Sequence, residues 1–321
     1  MTMQALLLDR ELSYRTDQPI PKPEAGEALI EMRLAGICAT DLELAHGYAG
    51  FAGILGHEFI GQVVEVADAN DRHWLGSRVV GSINIGCRLC PTCLTTGPSH
   101  CPTRRVLGIR AKDGAFADFF TLPVANLFRL PDHVADEAAV FAEPLAAALR
   151  VVEQLQDLPR GEIGVLGPGR LGLLIGRVLA LAGHRVTMLG RSETSLTQPR
   201  RWGLQAGLAA EFPESGFSCV VDASGTASGF AAALRLLRAQ GCLVLKSTFV
   251  ADHPVDLSPL VVKEIRLLGS RCGRFEPALD RLSAGDIAVE TLIDGVFPLS
   301  AGPAAFATAA RPGVRKILLK R

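Results

Sequence analysis

The segment from Glu162 to Leu189 limits the fold more than any other part of this chain. A strand-like apolar run (Glu162–Leu166) leads into Gly167-Pro-Gly169-Arg170-Leu171-Gly172, and an apolar helical pattern (Leu171–Ala182) precedes a second strand-like run (Arg185–Leu189). With 33 glycines in the chain, a G-x-G-x-x-G match by itself carries little weight. Its place between a strand and a helix gives each glycine a task. The first permits a tight turn, the second lets backbone approach a pyrophosphate, and the third lets helix and strand pack closely at an anion-favouring helix N-terminus. The alternation continues with Ser218–Asp222, a helix around Phe230–Ala239, Cys242–Lys246 and Ile265–Gly269. Strands alternating with helices in this way predict a doubly wound parallel sheet, so the middle of the chain is α/β.

The end of the second strand should meet the adenosine ribose of a dinucleotide. An NAD site usually places Asp or Glu there, about 20 residues past the first glycine. This chain instead reads Gly190-Arg191-Ser192, with Glu193 beyond. Gly190 is expected to leave space, and Arg191 and Ser192 to hold a 2′-phosphate by charge-assisted hydrogen bonds. The pattern favours NADP, with NAD as the alternative.

The flanks differ in texture. Ala28–Leu34, Gly61–Val66 and Arg78–Ile83 are short apolar runs bounded by turn residues and predict a β-rich region. From about residue 134 the chain turns Ala-, Leu- and Glu-rich, and Asp136–Leu155 predicts a helix that Pro144 starts or kinks. After about residue 284 short strands and turns return, closing with Val314–Leu319. The expected division is 1–147 and 277–321 as one β-rich domain, carrying a small lobe at 84–104, with 148–276 inserted between.

Four of the eight cysteines, Cys87, Cys90, Cys93 and Cys101, fall within fifteen residues of a Gly- and Pro-rich stretch. Four thiolates close a tetrahedral zinc shell with no open position, which staples a lobe and does no chemistry; an iron–sulfur centre is the rival. A second set is dispersed: Cys38 in Gly36-Ile-Cys38-Ala-Thr40-Asp41, His57 and Glu58 in Gly56-His57-Glu58, and Glu143 before Pro144. Together they offer the mixed thiolate, imidazole and carboxylate donors of a zinc that keeps one position open.

On the residues 36–41, 56–58, 87–101, 142–149, 167–172 and 313–319 the chain resembles the zinc-dependent medium-chain alcohol dehydrogenases, particularly the sorbitol and threonine dehydrogenase-like branch. The resemblance runs over essentially the whole chain. It implies a GroES-like catalytic domain plus a Rossmann domain, one catalytic and one structural zinc, and oxidation of an alcohol or polyol with NAD(P). It further implies Cys38, His57 and a carboxylate at catalytic zinc, Glu58, Glu143 or the two in exchange, with Thr40 as the first hydroxyl of a proton relay and Asp41 behind the ligands. Arg315 is implied at the cofactor pyrophosphate, and the family's homo-dimers or homo-tetramers imply the same here. Alternatives on the same fold are an NADPH-dependent aldehyde, ketone or quinone reductase and an inactive cofactor-sensing protein.

Two departures from relatives bear on substrate and relay. Many relatives carry a His three residues after the Thr40 position, where this chain has Glu43, with His46 three further on. The Gly47–Leu55 stretch lacks the prolines often found before Gly56-His57-Glu58, so the substrate is not readable from it. Balanced charge, 33 residues of each sign, offers no footprint for nucleic acid. No segment approaches the ~20 apolar residues of a membrane span. Clustered cysteines of this kind fit a reducing compartment, and a cytoplasmic protein acting on a small molecule is expected.

Overall fold

The computed structural model describes residues 1–157, 161–248 and 255–321. It divides into two compact units, one formed by Met1–Glu143 with Phe275–Arg321 and the other by Pro144–Arg274.

The first unit is organised by the strand Glu27–Gly36. It pairs antiparallel with Glu58–Val66 and Phe119–Pro123, and also with the C-terminal strand Lys316–Lys320, so both flanks of the chain contribute strands to one seven-stranded sheet. Alternating apolar residues of these strands, Ile30, Met32, Phe59, Phe120 and Ile317 among them, meet Leu6 of the strand Thr2–Asp9 in one core. Each such side chain contributes ~1.5–3 kcal/mol on burial. Phe116 and Phe306 meet edge to face at 5.9 Å, which ties the helix Gly302–Ala309 to this core. Gly36 partners both Glu58 and Leu318 in the sheet, and the chain leaves the strand there toward Cys38.

The second unit carries six parallel strands in the order Gln205–Leu208, Arg185–Gly190, Glu162–Leu166, Phe217–Asp222, Leu237–Leu245, Arg266–Gly269. The order reverses between Glu162–Leu166 and Phe217–Asp222, which is where doubly wound sheets bind ligands at the carboxyl ends of their strands. The central strands Arg185–Gly190, Glu162–Leu166 and Phe217–Asp222 read as nearly continuous apolar runs because both faces are covered, with Leu166, Leu189 and Val220 in one cluster with Phe230 and Leu243. Thr226 caps the helix Ala227–Leu236 by accepting the Gly229 N–H at 3.1 Å.

Some elements differ from expectation. The stretch expected as one helix over 136–155 is two, Asp136–Ala139 and Ala142–Gln154, and Pro144 sits in the first turn of the second, where its missing N–H costs nothing. The helix expected to reach Ala239 stops at Leu236, and a strand starts at Leu237. The helix Gly302–Ala309 lies where short strands and turns were expected; its small residues give little amphipathic signal. Among the described residues no helix is long and apolar enough to cross a membrane.

Candidate active site and metal centres

Cys38 is the N-cap of the short helix Ala39–Ala45, and the third helical residue, Asp41, reaches back to it. One oxygen of Asp41 accepts the Cys38 backbone N–H at 2.8 Å, while the other lies 3.1 Å from Nδ1 of His57. Asp41 is fully buried. It therefore fixes the position of one candidate ligand and the ring orientation of another, leaving Nε2 of His57 as the nitrogen to face a metal. Burial opposes charge on the His57 ring, but the Asp41 carboxylate outweighs it, with Cys38 adding, and raises the ring's pKa well above the ordinary value. The ligand atoms of Cys38, His57 and Glu58 all lie within 4.8 Å of one another. Thr40 stands beside them, its hydroxyl 3.9 Å from the Cys38 sulfur.

Of the two candidate carboxylates, Glu58 belongs to this cluster, while Glu143, in the first turn of Ala142–Gln154, is outside it. Glu58 has a partner that sequence reading did not find. Lys316, only 2% exposed, donates its ammonium to Glu58 Oε2 and sits 5.5 Å from the centre of the Phe141 ring. The carboxylate fits because residue 36 is glycine: a Cβ there would stand 2.6 Å from Glu58 Oε2. Removing one member of a buried ion pair costs ~3–5 kcal/mol by stranding the other. Lys316→Met is therefore expected to lower the unfolding free energy by about that amount, and the double variant with Glu58→Gln to recover part of it. Denaturant unfolding of the single and double variants checks this, and equal stability of wild type and Lys316→Met would remove the pair from the structural explanation.

The second cluster lies in the lobe between the short strands Asn84–Ile85 and Arg105–Val106. Sulfur separations are 3.6 Å for Cys87–Cys101, 3.9 Å for Cys90–Cys101 and 4.0 Å for Cys87–Cys93. A zinc tetrahedron with bonds of ~2.3 Å has edges of about 3.8 Å, so these four thiols fit a closed zinc shell. Backbone N–H groups of Cys87, Cys90 and Cys93 point at the sulfurs of Cys101, Cys87 and Cys90. The Thr103 hydroxyl, with the Cys87 N–H, holds the Cys101 thiol down to about 6, whereas burial pushes Cys93 up to about 12.

In the second unit, Gly167 turns with φ +90°, and a Cβ there would meet backbone of Ala223 and Ser224 at 2.8 Å. A Cβ on Gly172 would lie 2.0 Å from the Gly167 carbonyl, while one on Gly169, the N-cap of Arg170–Leu181, would meet no protein atom within 4 Å. The first and third glycines thus serve the turn and its packing, and the second leaves open space at a helix N-terminus, as a pyrophosphate needs. Arg170 and Leu171 form the first helical residues behind it. Gly172→Ala is expected to force the turn open at a cost of ~1–3 kcal/mol, weakening the cofactor about tenfold or more; fluorescence titration with reduced cofactor measures it, and unchanged affinity would contradict this reading.

Gly190 does not leave the space expected of it. A Cβ there would strike Ser195 Oγ at 2.4 Å and Leu196 at 2.7 Å, so the missing side chain admits the helix Glu193–Arg201 rather than a phosphate. Arg191 and Ser192 are exposed at that helix's N-terminus, and Ser192 is its N-cap without a side-chain capping bond. Arg315, implied at the pyrophosphate, has its guanidinium 3.3 Å from Asp294.

Residues 24–132 match the family model described as an alcohol dehydrogenase GroES-like domain, and residues 171–284 match that of a zinc-binding dehydrogenase. The chain is 30% identical over 332 residues to an erythritol/L-threitol dehydrogenase of Mycolicibacterium smegmatis, covering 93% of this chain and 91% of that protein. A protein of Sinorhizobium meliloti 1021 assigned to the zinc-binding dehydrogenases and solved with NADP superposes with a TM-score of 0.90 at 27% identity over 100% of both chains. An alcohol dehydrogenase of Escherichia coli CFT073, solved with NADH, also superposes with a TM-score of 0.90 at 27% identity, over 100% of this chain and 99% of that one. With both domain models present in order and a relative 30% identical across nine-tenths of its length, this chain belongs to the zinc-dependent medium-chain alcohol dehydrogenase family, an oxidoreductase built from a GroES-like and a Rossmann domain.

Proposed function

We propose that the chain reversibly oxidises a small alcohol or polyol to its carbonyl by hydride transfer to a nicotinamide cofactor, binding NADP in preference to NAD. The observation that carries this reading is the convergence of Cys38, His57 and Glu58, braced by Asp41. Such a donor set suits a zinc with one position open, and the relative acting on erythritol and L-threitol supports a polyol. Zinc held by Cys38, His57 and Glu58 would supply Lewis acidity, which favours loss of the substrate hydroxyl's proton near neutral pH.

The chain's own groups do the rest. Asp41 holds the His57 ring, Lys316 balances the charge of Glu58, and the Thr40 hydroxyl accepts the proton that the substrate hydroxyl gives up while passing its own outward to solvent. In the Rossmann domain the N-terminus of Arg170–Leu181 receives the pyrophosphate, and Arg191 with Ser192 receives a 2′-phosphate. The protein is proposed to work in the cytoplasm, supported by eight cysteines without a disulfide among them. It is proposed to act as a homo-dimer or homo-tetramer. Exposed Val261, Val262 and Leu267, on and before the sheet-edge strand Arg266–Gly269, support pairing there.

The test follows nicotinamide absorbance with polyols, sugars, amino alcohols and simple alcohols, using NAD and NADP separately on zinc-loaded protein. Turnover with a polyol or alcohol supports the reading, and silence across every class with both cofactors contradicts it. Arg191→Ala removes a charge-assisted contact worth ~1.5–3 kcal/mol. It is expected to weaken NADP about tenfold to a hundredfold and leave NAD unchanged; an unaltered NADP-to-NAD ratio would sink the 2′-phosphate assignment.

A further inference from the structure

Away from the metal centres, the parallel sheet of the Rossmann domain holds a second pair of thiols. Cys219 and Cys242 are register partners on the neighbouring strands Phe217–Asp222 and Leu237–Leu245. Ile163 partners Cys219 on one side and Arg266 partners Cys242 on the other, which puts the two thiols side by side on one face of the sheet. Both are buried, at 4% and 3% exposure, and both are free. Neighbouring strands lie ~4.8 Å apart, inside the roughly 4.4–6.8 Å Cα separation that a disulfide spans.

A buried thiol is ordinarily inert because nothing reaches it. Here the pairing is broken just before the thiols. Phe217 partners Leu237 but Cys219 partners Cys242, so Arg238–Gly241 loops out of register, with Gln240 in the left-handed region at φ 57°. Beside the loop a cavity of about 70 Å³ is lined by both cysteines together with Leu155, Ile163, His184 and Arg238. One water needs about 10–15 Å³ of such space, so the cavity has room for a molecule the size of hydrogen peroxide beside the two sulfurs. The two thiols are hydrogen-bonded to each other. That bond pushes Cys219 well above the ordinary thiol range and holds Cys242 below it, and the charge of Arg266 adds to the lowering of Cys242.

We propose that Cys219 and Cys242 form a peroxide-reactive dithiol that closes to a disulfide between these two strands. The Cys242 thiolate attacks one peroxide oxygen, the O–O bond breaks, and the departing oxygen leaves as water with the proton Cys242 gave up. The sulfenic acid left on Cys242 is then attacked by the Cys219 sulfur. The S–O bond breaks, and the oxygen leaves as a second water with the Cys219 proton. Two thiols are oxidised by two electrons in all, and one peroxide is reduced to two waters. The strand carrying Cys219 continues to Ala223 and Ser224, packed against Gly167, so the modification falls in the scaffold of the cofactor turn.

The test exposes the zinc-loaded full chain to hydrogen peroxide, alkylates remaining thiols, and maps tryptic peptides by mass spectrometry without reduction. The expected result is a linked pair, residues 202–235 with 239–246, lighter by two hydrogens than the separate peptides and lacking both alkyl groups. Cys219→Ser is expected to stop at a sulfenic acid on Cys242, which dimedone traps when the oxidised chain is unfolded in its presence. Recovery of both cysteines as unlinked alkylated thiols, under peroxide that oxidises other cysteines of the same chain, would overturn the proposal. The wild-type chain alone decides the matter if a serine variant fails to fold, and no catalytic activity is required for the readout.

Discussion

Replacing Cys38 with serine is expected to lower turnover by about 10³-fold or more, the scale on which a preorganised electrostatic stabiliser contributes to catalysis, while leaving cofactor affinity within a factor of about two. Cys38 is the one thiolate beside His57 and Glu58, and a serine hydroxyl is a far poorer ligand at neutral pH. The helix start survives, because serine is itself a favoured N-cap and Asp41 still accepts the residue-38 N–H. The cofactor turn lies in a separate unit and keeps its geometry. Steady-state rates together with cofactor titration check both halves. A variant with wild-type turnover would remove Cys38 from the reaction, and one that lost cofactor binding equally would show general damage.

Cys101→Ser is the second large effect. Cys101 is fully buried and its sulfur is 3.6 Å from Cys87 and 3.9 Å from Cys90, so its loss opens the closed shell. Structural zinc in small domains carries roughly 10–16 kcal/mol of apparent binding energy that is also folding energy. Here part of the lobe is anchored independently, since Ile85, Val106 and Leu107 belong to the main core. The exposed loop between those anchors, with Leu89 and Leu94 facing outward, has little else to hold it. Cys101→Ser is therefore expected to lose zinc and become protease-sensitive within residues 87–104 while the rest of the GroES-like domain stays folded. Limited proteolysis with peptide mapping reads this directly; a variant as resistant as wild type would mean that the cluster does not staple the lobe.

Much of this was legible in the sequence, for identifiable reasons. A parallel sheet covered on both faces forces nearly continuous apolar strands, and the runs at 162–166, 185–190 and 217–222 stand out accordingly. Four cysteines at tight spacing need no tertiary context to suggest a metal. Cys38, His57 and Glu58 were individually unremarkable, and only the pairing of Glu27–Gly36 with Glu58–Val66 brings them together.

What stayed hidden depends on contacts distant along the chain. Lys316 reads as one more basic residue in Val314-Arg315-Lys316, and nothing local says that it is buried against a carboxylate 258 positions away. The contact of Arg315 with Asp294 is likewise made across a neighbouring strand. Gly190 illustrates the opposite trap. The sequence shows a missing side chain, but whether the vacated volume faces a ligand or a helix is decided by where Ser195 and Leu196 pack.

The most direct test of a catalytic zinc at Cys38, His57 and Glu58 is the zinc content per chain of wild type, Cys38→Ser and Cys101→Ser, measured alongside turnover. The expected content is two zinc ions in wild type and one in each variant, with turnover lost in Cys38→Ser. A wild type that holds no zinc, or a Cys38→Ser chain that keeps both ions and full turnover, would contradict it.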